Sequence, residues 1–291
     1  MLKTAQALIE ICRENNWKIS DYVLEEESKG DPEKKEQILS ELGEMLAIMK
    51  ESTSRTLEEG SGLKQNIINN FGKKTWDYAK SGKNFVTDEK TLRAMARAFS
   101  TFESNAKMDV IVAAPTAGSC GIVPAALVSA QEDIGVSDED LVKGLLTAIG
   151  IGQFIGGYGT FAGAEGGCQA ECGAASSMAA GALVELYGGD VEECLNASSI
   201  AIVNILGLVC DPLGGLVQYP CTFRNASGVS NARISADLAL AGTFSIVPFD
   251  EVCQAMKEVG DAMPAALRET GIGGLAGTHT AQKMCHELFD E

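Results

Sequence analysis

Positive charge is scarce in the second part of this sequence. No lysine or arginine stands between Lys143 and Arg224, and residues 111–291 contain 6 basic residues against 21 acidic ones, whereas residues 1–110 contain 17 and 19. The whole chain has a net charge of -17. Without a basic patch it has little with which to bind the phosphates of a nucleic acid. We therefore expect no nucleic-acid partner, and a small-molecule substrate or none.

The shortage of lysine, arginine and histidine also weighs against two kinds of enzyme. Pyridoxal phosphate needs a Schiff-base lysine, but Lys143 lies in an ordinary helical context, and the Gly-rich residues 271–274 lack the lysine that follows in a phosphate loop. Ser-His-Asp chemistry is poorly supported, because neither His279 nor His286, the 2 histidines, stands in a recognisable nucleophile setting. The general base stays unassigned, and a role for His279 stays open.

The pattern of the 9 cysteines favours neither a disulfide framework nor a zinc site. Their number is odd, and the N-terminal residues are too charged for a secretory signal, so we predict reduced thiols in the cytoplasm. Structural zinc usually needs close cysteine pairs, and no C-x-x-C occurs. Cys168 and Cys172 form a C-x-x-x-C, but the further cysteine that a radical enzyme would need is absent.

One uncharged run, residues 144–164, is long enough to cross a membrane. Seven of its residues are glycine, and Gln153 and Tyr158 interrupt it. We therefore expect a buried, closely packed helix and no membrane segment.

Helix-forming residues dominate the rest of the pattern. Leu39, Leu42, Leu46 and Met49 recur at helical spacing in the charged first part. Apolar stretches rich in Ala and Leu predict further helices over residues 123–131, 138–149, 173–186, 191–209, 231–241 and 249–259. Short strand candidates occur only at residues 110–112 and 244–247. We predict an all-α fold with a single domain, residues 1–291, in which residues 1–108 form a charged helical shell and residues 109–291 a Gly-, Ala- and Cys-rich core.

Three cysteines, Cys168, Cys210 and Cys221, stand among small residues and next to glycine, aspartate or proline, a context typical of cluster ligands. Free cysteine is also among the most buried residue types, so three scattered thiols are equally a feature of a Cys-rich core. Spacing alone leaves both interpretations open. The other cysteines at apolar helical positions are interpreted as core residues: Cys12, Cys194, Cys253 and Cys285.

Several motifs, in order, closely resemble the iron-sulfur-dependent L-serine dehydratase family. They are APTAGSCG at residues 114–121, GGCQAE at 166–171, LVCDP at 208–212, PC at 220–221, RNA at 224–226, AALRETG at 265–271 and GGLA at 273–276. The resemblance runs over nearly the whole chain, whose length is similar to the separate alpha subunit of two-subunit members.

The resemblance implies a cofactor, a reaction and a partner. In that family three cysteines bind a 4Fe-4S cluster, and the matching positions are Cys168, Cys210 and Cys221, with Cys172 outside the set. Three thiolates leave one iron open to act as a Lewis acid on the hydroxyl of L-serine, and loss of water then leads to pyruvate and ammonia. A beta subunit is implied as partner. Some single-chain members end in a cysteine that covers the open iron, but Cys285 is not terminal and that role is not transferred.

The loop at residues 116–121 is a candidate cradle for the substrate carboxylate, because it combines small residues, two hydroxyls and a following helix N-terminus. A plain helix-entry turn is the alternative. The candidate substrate-binding residues are Thr116, Gly118, Ser119, Gly163, Arg224 and Asn225.

The substrate and the class of protein each keep an alternative. Many family members have a Ser-Ile-Ser-Gly-like run before the first ligand, where this chain has TFAG at residues 160–163. Threonine, cysteine or another small hydroxy or thiol amino acid therefore stays open as substrate, with cysteine desulfidase the nearest enzymatic rival. A non-catalytic iron-sulfur sensor or assembly subunit is the alternative outside enzymes.

Overall fold

Helices make up the regular structure of the computed structural model, which describes residues 4–63 and 67–289. The α-helices are α1 (Ala5–Asn15), α2 (Ile19–Ser28), α3 (Pro32–Ser52), α4 (Phe71–Ala79), α5 (Glu89–Ala106), α6 (Ile122–Ile134), α7 (Asp138–Tyr158), α8 (Gly163–Cys168), α9 (Ala174–Leu186), α10 (Val191–Val203), α11 (Cys221–Leu240), α12 (Phe249–Ala262) and α13 (His279–Phe289). Over these ranges no strand forms, and an isolated parallel bridge joins Cys210 to Arg268. The all-α prediction is confirmed.

The short strand candidates are wrong. Residues 110–112 and 244–247 are irregular segments that precede α6 and α12, and Val110, Phe244 and Ile246 are exposed to solvent. A strand needs a neighbouring strand to pair its backbone groups, and neither segment has one.

Helix α9 is the centre of the core. Its residues from Ala174 to Glu185 are all buried, and α6, α7, α10 and α11 pack around it. A helix that is apolar on every side has to be enclosed in this way. At Gly181 a Cβ atom would lie 2.0 Å from the Ile151 side chain of α7, so the glycine allows the two helices to approach closely.

Helix α5 links the charged first part of the chain to this core. Its residues from Ala96 to Ser104 are buried, and it packs against α4, α6 and α11. Glu103 of α5 also caps α4, since its carboxylate accepts hydrogen bonds from the backbone N–H groups of Phe71 (2.5 Å) and Gly72 (3.4 Å). The carboxylate thus satisfies donors that the helix itself leaves free.

Helix α7 contains most of the uncharged run. By length and composition it could cross a membrane, yet 61% of its most apolar window is buried. It packs against α2, α3, α9 and α12. The helical core helps to account for its apolar residues.

Candidate functional site

The three candidate ligand cysteines lie where helices begin or end. Cys168 is the last residue of α8, Cys221 is the first residue of α11, and Cys210 precedes a 3-10 turn at Leu213–Gly215. All three side chains are buried and in the free thiol form. Helix ends and turns therefore bring the thiols of three separate segments into the interior.

The backbone around Cys168 is unusual. Gly167 has a φ of 74°, and a Cβ atom there would lie 2.8 Å from the carbonyl oxygen of Leu208. A π-helical turn follows at Gln169–Gly173. Turns of this kind are rare and are often found at functional sites.

Gln169 joins the Cys168 segment to its neighbours. Its backbone N–H donates to the carbonyl of Leu208 (2.9 Å), its side-chain oxygen accepts from Gly207 N–H (2.8 Å), and its side-chain amide donates to the carbonyl of Met256 (2.9 Å). Gln169 is completely buried. These bonds fix Cys168 against the segment that leads to Cys210.

Cys210 is also held from the C-terminal side. Its backbone N–H donates to the carbonyl of Leu267 (2.8 Å), and its carbonyl accepts from the N–H of Glu269 (2.7 Å). The AALRETG motif at residues 265–271 therefore lies beside Cys210.

The thiols of Cys168, Cys172 and Cys210 interact directly. Hydrogen bonds from Cys172 and Cys210, followed by the positive charge of Arg224, hold the pKa of Cys168 well below its ordinary value. The same hydrogen bonds, with burial, raise the pKa of Cys172 and of Cys210. The site therefore favours a thiolate at Cys168.

Cys221 lies slightly apart from this group. It packs with Ile68, Phe102 and Cys120, and burial, then the charge of Cys168, raises its pKa. Among the described residues, one group that could hold a metal ion consists of Cys168, Glu171 and Cys210, whose ligand atoms lie within 4.8 Å of one another. The structure thus brings Cys168 and Cys210 together, with Cys172 and Glu171 beside them and Cys221 close by.

Glu171 occupies the predicted carboxylate cradle. The hydroxyl of Thr116 donates a short hydrogen bond to its carboxylate and lies 3.1 Å from the hydroxyl of Ser119. A Cβ atom at Gly118 would lie 2.4 Å from Glu171 Oε1. Burial raises the pKa of Glu171 to about 7, and the charges of Cys168 and Glu269 act in the same direction. The loop at residues 116–121 therefore contacts a carboxylate of the chain itself.

Asn225 fixes this loop to α11. Its side-chain amide donates to the carbonyls of Gly118 (2.7 Å) and Cys221 (2.9 Å), and its side-chain oxygen accepts from the N–H of Gly121 (2.8 Å). Asn225 is completely buried. It connects the candidate cradle directly to a candidate ligand.

Gly163 and Arg224 lie on the other sides of the thiol group. A Cβ atom at Gly163 would lie 2.9 Å from the Cys210 sulfur. Arg224 donates from Nη1 to the Cys168 sulfur (3.1 Å) and from Nη2 to Asp211 (2.6 Å). Of the candidate substrate-binding residues, Gly163 and Arg224 thus adjoin the thiols directly, Asn225 adjoins the backbone of Cys221, and the loop residues Thr116, Gly118 and Ser119 are connected to the site through Glu171 and Asn225.

Other residues were missed or left open by the sequence. Glu171 and Asp211 were not proposed, although Glu171 follows Cys168 by one helical turn and Asp211 directly follows Cys210. His279 is exposed at the start of α13, and Cys285 is partly buried on the same helix. Within the described residues, the group that could hold a metal ion includes neither of them.

The fold and the site together define a helical protein with a buried, thiol-rich group that could bind a metal. The family described as serine dehydratase alpha chain matches residues 14–276. This chain therefore belongs to the serine dehydratase alpha chain family, and the resemblance seen in its motifs is confirmed.

Individual relatives agree with this family assignment. The chain is 57% identical over 291 residues to "L-serine dehydratase, alpha chain" of Peptoniphilus asaccharolyticus, covering 100% of this chain and 99% of the relative. It is 42% identical over 289 residues to "Probable L-serine dehydratase, alpha chain" of Bacillus subtilis (strain 168), covering 99% and 96%. A longer "L-serine dehydratase" of Streptomyces coelicolor is 36% identical over 282 residues, which cover 94% of this chain but 60% of the relative. The names of these relatives describe lyases.

Proposed function

We propose that this chain is the alpha subunit of an L-serine dehydratase, which converts L-serine to pyruvate and ammonia with a 4Fe-4S cluster bound by Cys168, Cys210 and Cys221. The observation that carries the proposal is the meeting of buried, reduced thiols from three separate segments. The names of the full-length relatives supply the substrate.

The residues present fit such a cluster. Thiolates are the ligands that iron-sulfur clusters use, and they must be deprotonated to bind. Arg224 contacts the Cys168 sulfur and favours its thiolate. At Gly163 the lack of a side chain leaves space next to the Cys210 sulfur, which a Cβ atom would approach to 2.9 Å. Both the donor set and the space beside it suit a bulky thiol-bound group.

With three thiolate ligands, a bound cluster supplies an open iron that acts as a Lewis acid on the substrate hydroxyl. The chain's own groups bind and orient the amino acid. We assign the substrate carboxylate to Thr116, Gly118 and Ser119, in the loop that precedes α6, where it replaces the Glu171 carboxylate that Thr116 binds in the structure. Gly163 leaves room for the substrate, and Arg224 provides positive charge.

Asn225 supports substrate binding through the loop. Its amide and oxygen are already bonded to Gly118, Gly121 and Cys221. It therefore sets the distance between the carboxylate-binding loop and the Cys221 ligand.

A beta subunit completes the enzyme in this proposal. Full-length relatives are named alpha chains, whereas the longer Streptomyces coelicolor relative has additional sequence in a single chain. We infer that a separate chain supplies the corresponding part here. The cytoplasm stays the predicted location.

Anaerobic reconstitution with iron and sulfide tests the proposal. We expect about four irons per chain and release of pyruvate from L-serine once the candidate beta subunit is added, with L-threonine and L-cysteine assayed in parallel. Cys194→Ser is a matched control, because Cys194 is a buried thiol of α10 outside the site. An iron-free chain would contradict the cluster. An iron-loaded complex without turnover would favour a sensor or assembly role, and turnover of L-cysteine alone would favour a desulfidase.

A further inference from the structure

Arg224 and Asp211 form a largely buried ion pair beside the thiols. Their side chains are 12% and 4% exposed, and Arg224 Nη2 lies 2.6 Å from Asp211 Oδ1. Removing two charges from water costs free energy that their attraction often only offsets. Fold stability alone is therefore a weak explanation for a pair in this position.

Both ends of the pair make a second contact. Asp211 Oδ2 accepts a hydrogen bond from the backbone N–H of Leu275 (2.7 Å), and Arg224 Nη1 donates to the Cys168 sulfur (3.1 Å). Gly274 allows the carboxylate to reach this turn: its φ is 58°, and a Cβ atom there would lie 2.4 Å from Asp211 Oδ2. A continuous path of hydrogen bonds thus runs from the C-terminal segment to Cys168.

This path connects the three segments that carry the proposed ligands. Asp211 directly follows Cys210, Arg224 lies in the first turn of α11 after Cys221, and the guanidinium contacts Cys168 itself. The planar guanidinium can make both bonds at once, because its N–H groups point in fixed, divergent directions. A lysine ammonium has no such fork.

We propose that Asp211 is a positioning residue of this site: it orients the Arg224 guanidinium toward the Cys168 sulfur and thereby holds the three ligand-bearing segments together. The inference rests on the proposed function, in which these cysteines bind the cluster. It gives Arg224 a role in addition to substrate contact. Asp211→Asn separates the two roles, because it leaves Arg224 in place.

The test uses the full chain, reconstituted anaerobically with iron and sulfide. Two quantities are measured: the rate of iron release to a chelator, and the Fe–S(Cys) stretching bands in resonance Raman spectra. The proteins compared are the wild type, Asp211→Asn, Arg224→Gln and the double variant. Loss of a supporting contact around a metal ligand typically weakens binding roughly 10-fold to 100-fold, so we expect Asp211→Asn to release iron about tenfold faster. The stretching bands should move to higher frequency, because the sulfur loses a hydrogen-bond donor. In the Arg224→Gln background, Asp211→Asn should change the iron-release rate and the stretching bands little further, because the two residues act through the same contact.

Asp133→Asn is the matched control. Asp133 of α6 forms an ion pair of 2.9 Å with Arg233, which lies on α11 like Arg224. The side chains of Asp133 and Arg233 are 8% and 17% exposed, so the pair is buried to a similar extent. We expect Asp133→Asn to lower the melting temperature without changing iron release or the spectrum. If Asp211→Asn fails to fold, Arg224→Lys is measured in its place. It keeps the positive charge but loses the planar guanidinium, whose separate N–H groups bond to Asp211 and to Cys168.

The outcomes separate the two proposals. A wild-type chain that binds no iron overturns both the cluster and the role of Asp211. A second outcome is that the wild type binds iron but Asp211→Asn, or Arg224→Lys in its place, releases the iron at the wild-type rate with unchanged stretching bands. That outcome overturns only the role of Asp211. The role of Asp211 is also overturned if Asp133→Asn speeds iron release as much as Asp211→Asn does. The same holds if Asp211→Asn speeds iron release as much in the Arg224→Gln background as in the wild type.

Discussion

Gly163→Ala places one methyl group against the sulfur of Cys210. The added Cβ atom would lie 2.9 Å from that sulfur, and since ordinary contacts of a real Cβ begin at about 3.4 Å, the two atoms have to separate by about 0.5 Å. Its other neighbours are at normal distances, with Cys210 Cβ at 3.5 Å and Glu269 Oε2 at 3.6 Å. The crowding is therefore confined to the sulfur.

A displacement of this size matters for a metal ligand. Distances in metal sites are held to within about 0.2 Å, so a shift of about 0.5 Å exceeds the tolerance. We expect Gly163→Ala to bind iron at least about tenfold more weakly than the wild type. The fold should tolerate the change, because Gly163 is the first residue of α8 and alanine is a good helix former.

Iron per chain after anaerobic reconstitution, titrated against a chelator, measures this effect, and thermal unfolding of the metal-free chain reports on the fold. Gly43→Ala in α3 is the control, since a Cβ atom there has no neighbour within 4 Å. If Gly163→Ala binds iron as tightly as the wild type, the Cys210 sulfur in its position beside Gly163 is not a ligand.

Two further predictions concern the other thiols and a buried carboxylate. Serine substitution at Cys168, Cys210 or Cys221 should abolish cluster binding, whereas Cys172→Ser should leave most of the iron in place. Iron per chain measures both effects. If one of the first three variants retains all of its iron, that cysteine is not a ligand. Burial raises the pKa of Glu103, so its contribution to stability is present below the carboxyl's ordinary pKa and is lost as pH rises through the raised pKa. In urea unfolding, the free energy of unfolding of Glu103→Gln should therefore fall less than that of the wild type as pH rises above the ordinary pKa of a glutamate, and parallel curves would contradict this.

The helical core was largely predictable from the sequence. Long apolar stretches mark α6, α7 and α9, because a largely buried helix requires nearly continuous apolar sequence, whereas apolar residues at helical spacing mark α12, which is buried on one face. The first half of α11 was missed: it begins at Cys221, ten residues before the predicted start at Asn231. Its first turns contain the polar residue Asn225, which is buried but hydrogen-bonded through its side chain to Gly118, Gly121 and Cys221. Hydrophobic periodicity cannot detect a helix face that is satisfied by hydrogen bonds instead.

Helix α10 shows the opposite error. Apolar residues continue to Val209, and the prediction extended the helix that far, but the helix ends at Val203. Gly207 has a φ of 88°, a backbone conformation that interrupts helical geometry. The resulting turn brings Leu208 within hydrogen-bond distance of Gln169.

The site was predicted less completely than the fold. The candidate ligands and substrate-binding residues came from motifs, and their roles stay predictions, although Cys168 and Cys210 lie together in the structure. Glu171 and Asp211 were missed because their partners are distant in sequence: Thr116 binds Glu171 from 55 residues away, and Leu275 binds Asp211 from 64. Local sequence patterns contain no information about such pairs.

The scarcity of cations gains a structural meaning at this site. Within the described residues, the cations of the second part of the chain that form ion pairs are Arg224, Arg233, Lys257 and Lys283. Arg224 is the one that contacts a thiol. Asp211, Cys168 and Glu171 interact with its charge, and burial raises the pKa of Glu171 to about 7. The orientation of Arg224, which Asp211 controls in our proposal, therefore decides where this positive charge acts.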